Sequence, residues 1–175
     1  MANRMGSLYE YDPGLTKTIR REDFTHNVYS MNEDSEGNLW LGMRGTGLRI
    51  GADKWDKNNS KDPNSLSNDQ VFSIYRDRKG RMWLGTFGGG LNLAVKTKDG
   101  YQFRHFLQDN YGEKRIRVIE EDKNGRMWVG TNNGIYIFHP DSLIASPENY
   151  IIYNHVNGTF PNNEIRCLMN DHEGN

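Results

Sequence analysis

The chain has 175 residues, which is long enough for one domain with its own core. It carries 22 basic and 23 acidic side chains, for a formal net charge of −1. The charges are spread along the chain, which argues against a nucleic-acid surface because such a surface normally shows as a basic patch or stripe. The apolar runs are only a few residues long, whereas a membrane-spanning helix needs roughly 20.

Glycine is the most informative part of the composition, with 19 residues beside 11% aromatic residues. Turn-forming residues between short aromatic and β-branched runs predict an all-β fold. No stretch shows a sustained period of 3.6, so few helices are expected.

An Asp-x-x-Gly turn recurs at spacings of 43, 45 and 49 residues, and tryptophan follows it in the first three copies. A period in the forties with a Trp-Gly signature is typical of four-stranded β-propeller blades.

Residues 1–24 are predicted to be the last two strands of a truncated blade. Their segment LYEYDP, residues 8–13, matches IYIFHP, residues 135–140, in a later copy. Whole blades are then predicted at residues 25–66, 67–112 and 113–161.

Each whole blade begins with the same two strands. The first is predicted at residues 28–34, 71–77 and 116–122, and it ends at the aspartate of the turn. That aspartate accepts backbone hydrogen bonds, and the glycine three residues later takes a positive φ. In the second strand a tryptophan has apolar neighbours on both sides, which indicates a strand covered on both faces. The turn glycines are Gly37, Gly80 and Gly125, and the packing tryptophans are Trp40, Trp83 and Trp128.

The glycines after these tryptophans, Gly42, Gly85 and Gly130, are expected where a strand bends or another backbone comes close. A third strand follows a glycine loop, as GLRIG, GLNLAV and GIYIFH. The fourth strand is more variable, with YQFRHF in the second copy and NYIIYNH in the third. In the first copy DKWDK is a poor candidate.

Residues 162–175 are predicted to be the first strand of another truncated blade, with Asp171 and Gly174 beginning a fourth turn. Cys167 lies in the apolar-rich stretch IRCLM, and it is expected to be a small buried residue and not a nucleophile. The chain therefore resembles about four blade equivalents cut from a longer ring. The alternative is that the two partial ends pair and close a small four-bladed ring.

The segment DPNSLSNDQVFSIYRDRKGRMWLGTFGGGLNLAV, residues 62–95, resembles the two-component regulator propeller repeat, and similar copies lie at 26–52 and 113–141. Met43 replaces the threonine of the pattern in the first copy. Asn132, Asn133 and Gly134 replace the triple glycine in the third copy. Neither departure threatens the fold.

The resemblance implies a periplasmic sensor region of seven-bladed propellers, often two in tandem. The parent protein of such a region is anchored in the inner membrane by one helix and ends in a cytoplasmic histidine kinase, to which hybrid versions fuse a response regulator. The resemblance also implies that the receptor works as a homodimer and that an oligosaccharide is its ligand.

No cofactor or metal site is predicted. The glycine-rich GTFGGG lacks both the following helix and the Gly-Lys-Ser/Thr of a phosphate loop. The DRKG turn places two cations where calcium ligands would be needed. Five histidines match no metal-ligand spacing and no catalytic triad. They are His26, His105, His139, His155 and His172.

Strand direction predicts where a ligand would bind. Because strands alternate in direction, the start of the first strand and the loop between the second and third strands lie on one face of the ring. The copies differ most in chemistry there, and polar side chains beside an aromatic platform suit sugar rings. The predicted ligand-binding residues are Asn27, Arg44, Gln70, Phe87, Arg115 and Asn132, and Thr46 and Glu164 hold related positions.

The leading functional prediction is a non-catalytic sensing module, whose ligand favours one arrangement of two receptor copies and so controls the kinase. A carbohydrate-active enzyme, such as a lyase or glycosidase, is the second hypothesis because the fold alone does not exclude it. A protein-interaction propeller is the third. An enzyme would turn over a glycan, a sensor would bind without turnover, and an interaction propeller would hold a protein partner through a standard-sized interface.

Overall fold

Short strands separated by turns form four antiparallel sheets in the computed structural model, which describes residues 7–12, 14, 17–24, 26–109, 114–158, 160–171 and 173. The first sheet has two strands, β1 (Ser7–Tyr11) and β2 (Thr18–Asp23). The other three sheets have four strands each, which follow one another across the sheet in chain order. This up-and-down arrangement is that of propeller blades. The all-β propeller architecture predicted from the sequence is confirmed.

We call the four-stranded sheets blades 1, 2 and 3. Blade 1 contains β3 (Val28–Glu33), β4 (Leu39–Met43), β5 (Leu48–Ile50) and β6 (Lys54–Asp56). Blade 2 contains β7 (Val71–Arg76), β8 (Met82–Thr86), β9 (Leu91–Lys96) and β10 (Tyr101–Phe106). Blade 3 contains β11 (Ile116–Glu121), β12 (Met127–Thr131), β13 (Gly134–Phe138) and β14 (Ile151–Tyr153). The segment DKWDK, the weakest candidate in the sequence, supplies β6.

One short helix, α1 (Pro140–Ala145), lies between β13 and β14. Pro140 at its start has a φ suited to a first helical turn, and Asp141 complements the helix dipole there. Leu143 is fully buried. Six residues are too few to show a helical period, which is why the sequence did not predict α1. No helix in the described part of the chain is long and apolar enough to cross a membrane.

The Asp-x-x-Gly turn is tied to the second strand by one carboxylate. In blade 2, Oδ1 of Asp77 accepts hydrogen bonds from the backbone amides of Lys79 and Arg81, each at 2.9 Å, and Gly80 has a φ of 78°. Oδ2 of Asp77 accepts a 2.9 Å bond from Nε1 of Trp83. The same carboxylate–indole bond recurs in the other blades, as Asp34–Trp40 and Asp122–Trp128. This shared bond explains why tryptophan lies six residues after aspartate in every copy.

Tryptophans pack neighbouring blades together. Trp40 of blade 1 contacts Tyr101 of blade 2, with ring centroids 4.8 Å apart, and Trp83 of blade 2 contacts Phe138 of blade 3 at 6.1 Å. Trp40 and Trp83 are fully buried. Trp128 of blade 3 is half-buried and no aromatic ring from a further blade covers it within the described residues. The apolar core therefore lies between blades as much as within them.

The glycine after each tryptophan lies where the first strand of the next blade approaches. A side chain at Gly85 would collide with Ile116 of β11, and one at Gly42 would come within 2.8 Å of the backbone oxygen of Val71 in β7. At Gly130 the corresponding neighbour is Ile165. The amide of Ile165 also donates a 2.9 Å hydrogen bond to the carbonyl of Thr131. Ile165 thus occupies the place that Val71 and Ile116 hold in the other blades.

Residues 160–171 form no strand ladder in the described structure, so the prediction that 162–175 begin another blade stays a prediction. Residues 1–6, His172 and Gly174 lie outside the described residues. The described residues show no ladder between the β1–β2 sheet and residues 160–171, and the closed four-bladed ring stays a hypothesis.

The expectation that Cys167 is buried is wrong, because its side chain is exposed. Ile165 contacts blade 3, but the opposite side of this segment is not covered by any described element. Met169, two residues along, is 85% exposed for the same reason. The apolar composition of IRCLM therefore does not indicate that its residues are buried in the described structure.

Candidate ligand-binding site

The six predicted ligand-binding residues lie side by side along one edge of the three blades. Isolated β-bridges join Arg44 to Gln70 and Phe87 to Arg115, and each bridge crosses from one blade to the next. At the two ends of the row, the amide of Arg44 donates to the carbonyl of Asn27 at 3.0 Å, and that of Asn132 donates to the carbonyl of Arg115 at 3.2 Å. The topology argument thus placed these residues together, and their binding role stays a prediction.

A β-bulge in the first strand of each blade presents one further side chain at this edge. The register shifts between Val28 and Ser30 in β3, and equivalent shifts occur in β7 and β11. Bulges redirect side chains and are common beside functional sites. The bulged residues are Tyr29, Phe72 and Arg117.

The sequence did not predict Tyr29, Phe72 and Arg117 as site residues. Strict alternation assigns each of them a place within an ordinary strand, and no residue type marks this kind of bulge. One signal was available: this position varies between tyrosine, phenylalanine and arginine, while the residue before it is always aliphatic.

These side chains stack into a row that crosses all three blades. The ring centroids of Tyr29 and Phe72 are 4.4 Å apart, and Phe72 stacks on Phe87 at 4.9 Å. The guanidinium carbons of Arg115 and Arg117 lie 4.8 Å and 4.6 Å from the centroid of Phe87, within the range of cation–π attraction. We call these five residues the aromatic–arginine row. Phe87 therefore contacts two cations within the row, and its predicted role in binding a sugar stays a prediction.

Glu164 closes the end of the row. Its Oε1 accepts a 2.9 Å hydrogen bond from Nη2 of Arg117, and its Oε2 accepts a 3.3 Å bond from Nη2 of Arg166. The hydrogen bond from Arg166 and the positive charges of Arg166 and Arg117 lower the pKa of Glu164, against a smaller opposing effect of desolvation. Glu164 is therefore ionised at neutral pH. The related residue Thr46 lies elsewhere, in a cleft lined by His26 and Trp55.

The described residues contain no group of three or more His, Cys, Asp or Glu side chains that could hold a metal ion. Of the histidines, His105 contacts the backbone oxygen of Ser65 through Nε2 at 2.8 Å, which ties β10 to the loop before β7. The edge carries guanidinium groups, aromatic rings, amides and the carboxylate of Glu164.

A protein-family model matches this chain in three places. The model described as two component regulator propeller matches residues 24–45, 65–88 and 110–133. These three segments contain the first strand, the turn and the second strand of blades 1, 2 and 3.

One solved structure extends the likeness beyond these three segments. The extracellular domain of the hybrid two component system BT3049 from B. thetaiotaomicron aligns with a TM-score of 0.75 and 26% identity, over 99% of this chain and 23% of that one. The extracellular domain of the one component system BT4673 from the same organism aligns at 0.42, with 19% identity over 85% of this chain and 27% of that one. PorZ, a surface component of the type-IX secretion system of Porphyromonas gingivalis, aligns at 0.48, with 13% identity over 93% of this chain and 33% of that one. Comparison with the curated proteins gives no match.

Proposed function

The chain carries repeats of the two-component regulator propeller family, and from this premise we propose that it belongs to the extracytoplasmic sensor propeller of a two-component system. The observation that carries the proposal is the alignment of 99% of the chain, at a TM-score of 0.75, with the extracellular domain of a hybrid two component system. The chain spans 23% of that domain's length. For the parent protein we propose a histidine kinase, an inner-membrane anchor and homodimeric assembly, with the present segment in the periplasm.

We further propose that the segment binds an oligosaccharide at the aromatic–arginine row without turning it over. Sugar rings offer apolar faces to aromatic side chains and hydroxyls to polar ones. Tyr29 and Phe72 supply aromatic rings at the edge, and Gln70 and Asn132 supply amides beside them.

The position of the row suggests how binding could be transmitted. The Arg44–Gln70 bridge joins blades 1 and 2, and the Phe87–Arg115 bridge joins blades 2 and 3. A ligand lying along the row would contact all three blades at their junctions. It would therefore favour the arrangement of blades that fits it best, which is what a sensor requires of its ligand.

Isothermal titration calorimetry of the chain against a panel of neutral and acidic tetrasaccharides tests this proposal, with chromatography of each mixture to detect products. We expect binding of at least one sugar, no product, and a loss of affinity of at least tenfold in Tyr29→Ala and Phe72→Ala. Tyr153→Ala is the matched control, because Tyr153 is a 38% exposed aromatic residue on the last strand of blade 3, away from the row. Circular dichroism would establish that each variant is folded.

Two results would contradict the proposal. Release of product would indicate an enzyme on the propeller scaffold. Absence of binding to every sugar in the panel would leave the interaction propeller as the better account.

A further inference from the structure

We propose that the aromatic–arginine row selects an acidic oligosaccharide, whose carboxylate binds Arg117 in the place that the carboxylate of Glu164 holds in the free protein. This inference rests on the proposed function, since it names the class of sugar that the same row would take.

The first argument is the charge of the site. The chain as a whole is nearly neutral, with a net charge of −1. At the row, however, the guanidinium groups of Arg115 and Arg117 both lie against the ring of Phe87, and Arg166 donates a hydrogen bond to Glu164. Two guanidinium groups thus bind one carboxylate, and a third lies against the same aromatic ring as one of them. A neutral sugar would gain little from such a concentration of positive charge, whereas an acidic one would be attracted to it.

The second argument is that Arg117 is held in position before any ligand arrives. Its guanidinium carbon lies 4.6 Å from the centroid of Phe87 and 5.9 Å from that of Phe72. Its Nε donates a 3.4 Å hydrogen bond to Oδ1 of Asn132. The planar fork of an arginine matches a carboxylate, and a fork already held by stacking loses less conformational freedom on binding.

The third argument is Glu164 itself. It spans Arg117 and Arg166 with one oxygen on each, which shows that this position accommodates a carboxylate between two cations. Its side chain is 29% exposed, and hydrogen bonds of Asn163 and Ile165 to blade 3 hold the backbone on either side of it. Moving this carboxylate aside would break few other contacts. Glu164 therefore acts as an internal competitor that a ligand carboxylate displaces.

The bulge in β11 gives the arrangement its specificity. At this position blades 1 and 2 carry the aromatic residues Tyr29 and Phe72, and blade 3 carries Arg117. A sugar lying along the row would stack on the rings at one end and present its acidic group to the guanidinium at the other.

The test uses two probes with the same sugar chain, tetragalacturonate with free carboxylates and its uncharged methyl ester, titrated into the full chain by calorimetry. We expect the acid to bind at least tenfold more tightly than the ester, and this difference to shrink as salt is added. Arg117→Met keeps an unbranched apolar side chain over Phe87 and should weaken binding of the acid at least tenfold. Glu164→Gln removes the competing carboxylate and should tighten binding of the acid severalfold.

Arg104→Met is the matched control. The guanidinium carbon of Arg104 lies 5.4 Å from the ring centroid of Phe106, so the substitution removes the same kind of contact on β10. Affinity for the acid should not change in this variant.

Several outcomes would overturn the inference and leave the proposed function standing. These are equal binding of acid and ester, binding of a neutral sugar alone, and equal effects of Arg117→Met and Arg104→Met. Failure of Glu164→Gln to tighten binding would also overturn it. A sulfated tetrasaccharide that binds where tetragalacturonate does not would assign the site to sulfate. Absence of binding to any saccharide would overturn the inference and the proposed function together.

Discussion

Nε1 of Trp83 donates a 2.9 Å hydrogen bond to Oδ2 of Asp77, and both residues are buried. The same carboxylate holds the turn through the amides of Lys79 and Arg81. Asp77→Ala would leave the indole N–H without its partner in the core. We expect the free energy of unfolding to fall by about 3 kcal/mol, as measured by urea denaturation followed by circular dichroism.

Asp62→Ala is the control for this prediction. Asp62 also accepts a backbone amide bond, from Asn64 at 2.9 Å, but it is exposed and holds no tryptophan. Its replacement should change the free energy of unfolding by about 0.5 kcal/mol or less. Equal losses in the two variants would show that the bond to the indole contributes nothing.

Acid should destabilise the protein through Asp122. Burial disfavours its charged form, but hydrogen bonds from Trp128, Arg126 and Asn124 outweigh this effect and lower its pKa to about 2. Because this pKa lies below the unfolded-state value of about 3.9, folding favours the carboxylate. The stabilisation is therefore fully present above about pH 5 and is lost as the pH falls toward 2, by about 2 kcal/mol in total. The measurement is the urea midpoint as a function of pH.

Asp122→Asn should reduce the dependence of stability on pH in the acid range, since the variant has no carboxylate to protonate at this position. Some dependence would remain, because hydrogen bonds also lower the pKa of Asp34 against the opposing effect of burial. If the stability of Asp122→Asn depended on pH in the acid range as strongly as that of the original protein, the loss of stability in acid would come from other groups.

The blades could be predicted from the sequence because each copy repeats the residues that the backbone requires. Gly80 must take a φ of 78°, and Asp77 must reach Trp83, so the three residues recur together in every blade. The bulges that expose Phe72 and Arg117 depend on how two strands align, and no single residue type encodes that alignment. Exposure of Cys167 depends on what covers it, which a local apolar pattern does not report.

Close approach of neighbouring blades should make Gly85 intolerant of any side chain. A methyl group there would collide with Cγ2 of Ile116, which is itself fully buried. Overpacking of this kind costs about 1–3 kcal/mol, so Gly85→Ala should lower the free energy of unfolding by that amount. Ile116→Ala removes the colliding atom and should make the glycine substitution less costly in the double variant. A double-mutant cycle by urea denaturation measures this coupling, and strictly additive effects would contradict the collision.

The ion pair between Glu22 and Arg49 should stabilise the attachment of the β1–β2 sheet to blade 1. Its atoms are 2.5 Å apart, and the side chain of Arg49 is only 7% exposed. Glu22→Gln leaves a buried cation without its full counter-charge, so we expect a loss of about 2 kcal/mol in the free energy of unfolding. Faster hydrogen exchange in residues 7–23 should accompany this loss, since the pair holds that sheet. Glu36→Gln breaks the exposed Lys96–Glu36 pair and should leave the free energy of unfolding almost unchanged. Equal losses in the two variants would mean that burial does not strengthen the Glu22–Arg49 pair.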